Sequence, residues 1–187
     1  MAQALIQAQC EMIAARVGES FDHMTCRGLF VGAITVDIQY LVDRFPAPNA
    51  KSFATELAMS TGGPATNAAV TFAHLGGQAH ALTAIGSHPF TPFMTDELQR
   101  YGVSATDLVS GAPHTPPISA IITTAPRGDR SVVTWASRKI AASPATLAGI
   151  APRDFDIVLV DGFYMEVCQA AAAKAKNAAV PVVLDAG

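Results

Sequence analysis

Residues 60–77, STGGPATNAAVTFAHLGG, combine a glycine pair, a proline and an asparagine at the start of an apolar helical pattern. Gly62 and Gly63 lack a Cβ atom, so the backbone there can adopt a positive φ or let a ligand approach its N–H groups closely. A glycine turn that opens a helix presents backbone donors to an anion or a hydroxyl. The alternative is a tight turn that only packs the helix close to a sheet, and the local sequence taken alone slightly favours it.

The helix that follows this turn is predicted from spacing. Its apolar positions recur at helical intervals and Gly76-Gly77 supplies a C-terminal stop; these positions are Ala65, Ala68, Ala69, Phe72, Ala73 and Leu75. Asn67 therefore lies in the first turn of the helix, four residues after Gly63.

Composition sets limits on the class of protein. The chain has 187 residues, 50% of them hydrophobic and 14% charged, with a formal net charge of −3. These values suit one globular domain with a substantial core, and the charge argues against a nucleic-acid partner. Cys10, Cys26 and Cys168 are few and widely spaced, which favours a reducing compartment over a disulfide framework and gives no zinc-ligand spacing.

No apolar run reaches the ~18 residues that a membrane span needs, so we expect no membrane partner. The N-terminus lacks a basic region, and Glu11 and Glu19 argue against a transit peptide. We therefore expect a cytoplasmic protein.

Strands and helices are predicted to alternate along the chain. Residues 1–27 differ in composition from the rest and are expected to be an N-terminal extension, either helical or disordered. A long β-rich run, GLFVGAITVDIQYLV, begins at Gly28, and a helix with Thr95 as its N-cap ends at Gly102. The runs IVLV and VPVVL read as buried parallel strands around an Ala-rich helix at 164–179.

This alternation predicts an α/β fold in which a mainly parallel sheet is covered on both faces, a three-layer αβα arrangement. Two segments, roughly residues 36–60 and 115–137, have the strand and turn signals of hairpins instead. We expect them to form a small separate β-sheet at one edge, a lid.

The same residues resemble the PfkB (ribokinase-like) family of carbohydrate kinases. The first signature of that family places glycines, an asparagine and small residues at set distances, and this chain matches it without an insertion at Gly62, Gly63, Ala65, Asn67, Ala69, Gly76 and Gly86. The similarity runs from about Gly28 to the end of the chain. It implies a ribokinase-like fold with a β-lid, here as the N-terminal, substrate-binding part only.

The resemblance also implies substrate-binding residues. Asp37 matches the acidic residue that binds sugar hydroxyls, and a carboxylate can accept two hydroxyl protons. Gly62 and Gly63 match the glycines whose backbone faces the sugar, and Asn67 matches the asparagine of the following helix. Thr35 stands where many members carry asparagine, and it completes the candidate set. The alternatives are a strand-end cap for Asp37 and a bond to nearby backbone for Asn67.

The catalytic signature of the family is missing from this sequence. Members place a catalytic aspartate in a GAGD-like loop near the C-terminus, where a base and oriented donors serve phosphoryl transfer. No such stretch occurs in the 187 residues, so no catalytic residue and no metal ligand is predicted in this chain. We expect either a truncated gene or a partial sequence of a longer kinase.

Three functional hypotheses follow. The first is an ATP-dependent kinase of a sugar or polyol, with ATP and Mg²⁺ expected for the full-length member and none bound to this chain alone. The second is an inactive sugar-binding or regulatory fragment. The third, a Rossmann-type nucleotide-binding protein, is disfavoured because GGPATN lacks the G-x-G-x-x-G spacing. The resemblance further implies a homodimer formed through the lid.

Finer substrate identity depends on residues of the lid. Acidic or phosphorylated sugars would need a cation there, and the candidates are Arg44, Lys51, Arg138 and Lys139. Tyr40, Phe53 and Trp135 are candidates for stacking on a nucleoside base. Solvated surface charge and simple packing are the alternative interpretations.

Overall fold

The computed structural model describes residues 26–136 and 142–185. Residues 1–25 of the expected N-terminal extension therefore lie outside the described residues. The elements follow in the order β1 (Arg27–Val31), β2 (Thr35–Val42), β3 (Glu56–Gly62), α1 (Pro64–His74), β4 (Gln78–Thr83), α2 (Thr91–Arg100), β5 (Val103–Asp107), β6 (Ile118–Thr124), β7 (Arg130–Trp135), two short 3₁₀-helices (Pro144–Gly149 and Pro152–Asp154), β8 (Ile157–Val160), α3 (Met165–Asn177) and β9 (Val182–Leu184).

The core is a five-stranded sheet in the order β5-β4-β1-β8-β9, and all of its strand pairs are parallel. Helices α1 and α2 pack on one face around Phe30, Ala81 and Met94. Helix α3 covers the other face with Val167 and Ala171, against Leu29 and Val158. The predicted three-layer αβα architecture is confirmed.

A second sheet of four strands has the order β3-β2-β6-β7. Strands β2 and β3 are antiparallel, β2 and β6 are parallel, and β6 and β7 form a hairpin. This sheet comes from the two segments whose turn signals differ from those of the core, so the prediction of a separate lid is also confirmed. We call it the lid below.

The long β-rich run that begins at Gly28 is divided between the two sheets. Strand β1 ends at Val31 in the core sheet, and β2 begins at Thr35 in the lid. The chain leaves the core at Gly32, where a Cβ atom would overlap the carboxylate of Asp161. The lid segment was expected from about residue 36, close to this division, although the run itself reads as continuous because burial and β-propensity do not reveal a change of sheet.

Helix α2 begins earlier than its sequence indicates. It starts at Thr91 with Phe90 as the N-cap and a proline in its first turn, so Thr95 lies inside the helix. The Thr95 hydroxyl donates back to the carbonyls of Thr91 and Pro92 instead of capping. Proline tolerates the first helical turn, and this explains the earlier start.

The two edge strands of the core sheet also differ from expectation. Strand β5 has the polar sequence VSATD, and its lack of an apolar pattern left it unpredicted. Strand β9 was predicted to be buried, but it lies at the sheet edge, and Leu184 is 65% exposed.

In the described ranges, no helix has the length and apolar character that crossing a bilayer requires.

Candidate functional site

A groove of about 1200 Å³ opens between the lid and the core. The lid contributes Thr35, Asp37, Ser119 and Thr134. The core contributes one side of α1 from Gly63 to Leu75, part of the sheet face, and residues before and after β8 and β9. Phe163 and Asp185 line the groove after β8 and β9, at the carboxyl ends of parallel strands, where open α/β sheets bind their ligands. The groove thus joins this end of the core sheet to the lid.

Asp37 is held in place by its neighbours in the lid. The hydroxyl of Thr35 donates to Asp37 Oδ1 at 2.8 Å, and both side chains are half-buried. Thr35 pairs with Gly62 across the β2–β3 ladder. A Cβ atom on Gly62 would overlap Asp37 Oδ2 and lie 2.8 Å from Thr35 Oγ1. Glycine at position 62 therefore leaves the space that the carboxylate occupies.

Position 63 favours glycine because of its backbone conformation. Gly63 is the N-cap of α1 with φ +99°, a backbone conformation that residues with a Cβ atom rarely adopt. A Cβ atom there would also overlap the carbonyl oxygen of Ala33. The Thr66 hydroxyl donates to that same carbonyl at 2.9 Å, so the turn is packed tightly onto the β1–β2 connection.

Asn67 lies on the exposed side of α1 and lines the groove. Among the described residues, its side chain makes no hydrogen bond of its own. The alternative in which Asn67 bonds nearby backbone therefore finds no partner in the described part of the chain. Four of the five sequence-predicted residues, Thr35, Asp37, Gly63 and Asn67, line one groove, and Gly62 lies directly against Asp37.

Asp161 lies behind the groove and organises its backbone. Its carboxylate accepts hydrogen bonds from the backbone N–H groups of Ala33 at 2.8 Å, Ala65 at 3.2 Å and Phe163 at 2.9 Å. Burial raises the pKa of this carboxyl, while the three N–H donors counteract that rise. One carboxylate thus joins the β1–β2 connection, the first turn of α1 and the end of β8, which is a positioning role.

A second carboxylate connects the lid to the core. Glu97 on α2 is buried and accepts from the Thr61 backbone N–H at 2.6 Å and from the Thr61 hydroxyl at 3.3 Å. Thr61 immediately precedes Gly62, so this contact holds the end of β3 where it meets Asp37. Glu97 was not predictable from the sequence, because a charged residue in a surface helix carries no signal of burial.

Sequence analysis also missed several residues that line the groove. Ser119 pairs in register with Asp37, and its hydroxyl lies 3.1 Å from that of Thr134 on the next strand. Arg130, Phe163 and Asp185 line the groove as well. Asp185 could have been suspected, since it follows the apolar run VVL at a parallel strand's carboxyl end.

The aromatic and cationic candidates of the lid lie elsewhere. Strand register places Tyr40 and Trp135 on the face of the lid opposite to Asp37, because side chains alternate between faces. Lys51 lies over the ring of Phe53 at 5.1 Å, in the connection between β2 and β3. Neither these residues nor Arg44 line the groove, and Arg138 and Lys139 lie outside the described residues.

Within residues 26–136 and 142–185, no three histidine, cysteine or acidic side chains lie close enough together to hold a metal ion.

Comparison with solved structures identifies the same architecture. A proposed ribokinase from Agrobacterium tumefaciens superposes with a TM-score of 0.71 at 25% identity over 86% of this chain and 52% of that chain. A carbohydrate kinase from the same organism superposes with a TM-score of 0.68 at 18% identity, over 86% of this chain and 53% of that chain. Arabidopsis thaliana ribokinase, solved with ribose and ATP, superposes with a TM-score of 0.56 at 18% identity, over 86% of this chain and 53% of that chain. The chain thus spans about half the length of these proteins.

The family model for pfkB carbohydrate kinases matches residues 28–186. This range includes the lid, the core sheet except Arg27, and every residue of the groove except Cys26. The match extends over most of the chain, and the fold and the glycine turn agree with it. The chain belongs to the pfkB family of carbohydrate kinases.

Proposed function

We propose that this chain binds a sugar or sugar-like polyol through its hydroxyls, as the acceptor-binding part and lid of an ATP-dependent carbohydrate kinase. The observation that carries the proposal is the arrangement around Asp37. Its half-buried carboxylate is oriented by Thr35, lies against Gly62 and opens into the groove. An ionised carboxylate is an acceptor only, so it suits a ligand that donates hydroxyl protons.

The other groups of the groove complement this carboxylate. The Asn67 amide offers both donors and an acceptor, and the hydroxyls of Ser119 and Thr134 can donate or accept. The first turn of α1 adds the positive end of a helix beside Gly63. A ligand carrying several hydroxyls can pair with all of these groups, whereas an apolar ligand would leave them unpaired.

Phosphoryl transfer needs more than an acceptor site. A base at the attacking hydroxyl and oriented donors for the phosphate charge are both required. The sequence contains no GAGD-like loop that would supply them. We therefore propose that ATP and magnesium serve the kinase reaction of complete family members, and that these 187 residues alone transfer no phosphate. A non-catalytic sugar-binding or regulatory protein is the second candidate, favoured by the same missing loop.

We further propose a homodimer that forms through the outer face of the lid, opposite to Asp37. That face carries large apolar side chains, among them Leu57 at 61% and Val133 at 73% exposure. A cytoplasmic location is proposed from the low cysteine content.

The proposal is tested by binding of a panel of neutral sugars and polyols to wild type, Asp37→Ala and Asp37→Asn. Loss of charge-assisted hydrogen bonds typically costs ~2 to 3 kcal/mol, so affinity should fall on the order of a hundredfold. Without ligand, the melting temperature should stay nearly unchanged. Asp129→Ala is the matched control, because that carboxylate pairs with Arg127 in an exposed turn.

Two outcomes contradict the proposal. In the first, Asp37→Ala unfolds the protein while Asp37→Asn binds the sugar with the wild-type affinity. Asp37 would then be a strand-end cap. In the other, the purified chain turns over ATP with a sugar, free of contaminating kinase, and the catalytic residues then lie elsewhere in the chain.

A further inference from the structure

Arg130 is the first residue of β7 and lines the groove at the end of the lid hairpin. Among the described residues that line the groove, it is the sole Lys, Arg or His; the acidic ones are Asp37, Asp156 and Asp185. No described side chain forms an ion pair or hydrogen bond with its guanidinium. The neighbouring Arg127 differs, because it pairs with Asp129 at 3.0 Å.

Strand register relates Arg130 to Asp37. Asp37, Ser119 and Thr134 form one rung across β2, β6 and β7, while Leu41, Thr123 and Arg130 form another. The second rung lies four residues further along each strand, on the same face of the lid. With strands about 4.8 Å apart and about 3.3 Å per residue, the Cα atoms of Asp37 and Arg130 are roughly 16 Å apart.

The surface between these two rungs is largely apolar. The intervening rung consists of Gln39, Ile121 and Val132, of which Ile121 and Val132 line the groove. The groove face of the lid therefore has hydroxyl-binding groups at one end, an apolar strip, and a single guanidinium at the other end. The side chains of Asp37 and Arg130 belong to the same face of the lid, so a ligand that contacts both must extend several bonds along the groove.

We propose that Arg130 binds a phosphate group at the outer end of the groove while Asp37 holds the hydroxyls of the sugar; this inference rests on the proposed function. A guanidinium presents a planar fork of donors that matches phosphate oxygens in a bidentate manner. The phosphate belongs either to the acceptor, which is then a sugar phosphate, or to the nucleotide donor. Both sources use the same contact, and Arg130 thereby sets specificity for a charged ligand.

The test measures affinity by calorimetry for wild type, Arg130→Ala and Arg130→Lys. The ligands are ribose and fructose, their phosphates ribose 5-phosphate and fructose 6-phosphate, ATP, and inorganic phosphate. Arg130→Ala should lower the affinity for phosphate-bearing ligands by at least about tenfold and leave the affinity for the neutral sugars unchanged. Arg130→Lys should recover part of the loss, since it keeps the charge but not the fork.

The panel separates the two sources of phosphate. If a sugar phosphate binds more tightly than its neutral sugar, and this difference is lost in Arg130→Ala, the phosphate belongs to the acceptor. If instead the affinity for ATP depends on Arg130, the phosphate belongs to the donor. Arg127→Ala is the matched control, and it should change neither the affinity for sugar phosphates nor the affinity for ATP. Equal affinities in wild type and Arg130→Ala, or no binding of any phosphate-bearing ligand by wild type, would overturn the inference.

Failure of this inference and failure of the proposed function are distinguishable. If Asp37→Ala abolishes sugar binding while Arg130→Ala has no effect, the hydroxyl site stands and the phosphate site is wrong. If Arg130→Ala weakens phosphate binding while Asp37→Ala changes nothing, the phosphate site stands and the sugar-binding role of Asp37 is wrong.

Discussion

Individual atoms decide whether the groove can bind a ligand. The space for the Asp37 carboxylate exists because residue 62 has no side chain, and the turn beside it exists because Gly63 adopts φ +99°. The two glycines thus serve different purposes, one steric and one conformational. A turn that only packed a helix onto a sheet would need the second glycine but would not need the first.

Gly62→Ala tests the steric role. The added methyl group would displace the Asp37 carboxylate and the Thr35 hydroxyl, since β2 and β3 are paired and cannot separate easily. We expect sugar affinity to fall at least about tenfold and the free energy of unfolding to fall by about 1–3 kcal/mol. Calorimetric titration and urea denaturation measure the two effects.

Gly149→Ala is the control for that substitution, because a Cβ atom at position 149 meets no heavy atom within 4 Å. Its effect on unfolding should stay within about 0.5 kcal/mol. Unchanged sugar affinity in Gly62→Ala would mean that the carboxylate is not held as the ladder geometry implies.

At the scale of elements, two buried carboxylates connect segments that are distant in sequence. Asp161 joins the end of β8 to the β1–β2 connection and to α1, and Glu97 joins α2 to β3. Asp161 accepts from three backbone N–H groups and Glu97 from one, and buried N–H groups need such partners. Among the described residues, no strand of the lid pairs with a strand of the core sheet, so side-chain contacts such as that of Glu97 help to position the lid relative to the core.

Glu97→Ala should separate this positioning role from simple packing. It leaves the Thr61 N–H without its acceptor, which typically costs about 1–3 kcal/mol of unfolding free energy. Because Thr61 precedes Gly62, sugar affinity should fall as well, although Glu97 does not line the groove. Glu97→Gln retains an oxygen acceptor and should restore much of both quantities.

The measurements for Glu97 are denaturant unfolding and ligand titration on the same preparations. Asp96→Ala, on the neighbouring exposed position of α2, is the control for removing a helical carboxylate. A loss of stability without any loss of affinity in Glu97→Ala would reduce Glu97 to a packing role.

At the scale of the whole molecule, the lid has two faces of opposite character. One face carries Asp37 and Ser119 and borders the groove. The other carries Tyr40, Leu57, Met59, Val133 and Trp135, all of them large hydrophobic side chains with substantial exposure. A contiguous apolar sheet face of this kind marks an interaction surface more often than a free one.

The proposed homodimer is tested by light scattering at micromolar concentration, where wild type should have twice the mass of one chain. Val133→Lys places a charge on the outer face and should give a monomer. Val132→Lys is the matched control, because its side chain faces the groove and not the outer surface. A monomeric wild type, or a dimer that survives Val133→Lys, would contradict the assignment of this face.

Local sequence was sufficient for much of the fold. The glycine turn, the helix beginning at Pro64, the lid hairpin and the parallel runs were predictable because φ preferences, helical spacing and apolar runs act over a few residues. The same local signals, with the family resemblance, identified Asp37, Gly62, Gly63, Asn67 and Thr35 as candidates. The polar strand β5 and the position at which the run from Gly28 changes sheet were not predictable in this way, since no local pattern marks them.

Tertiary structure decided which side chains share a surface. Asp37 and Arg130 belong to strands far apart in sequence, and only the pairing of β2, β6 and β7 brings them to one face of the lid. The same register turns Tyr40 and Trp135 away from the groove, and the same packing buries Glu97 and Asp161 against backbone donors. Strand register and burial are long-range properties, because a shift of one residue moves every side chain to the opposite face. Local patterns along the chain thus predicted most of the elements and the five candidate residues, whereas the pairing of distant strands decided what those residues face.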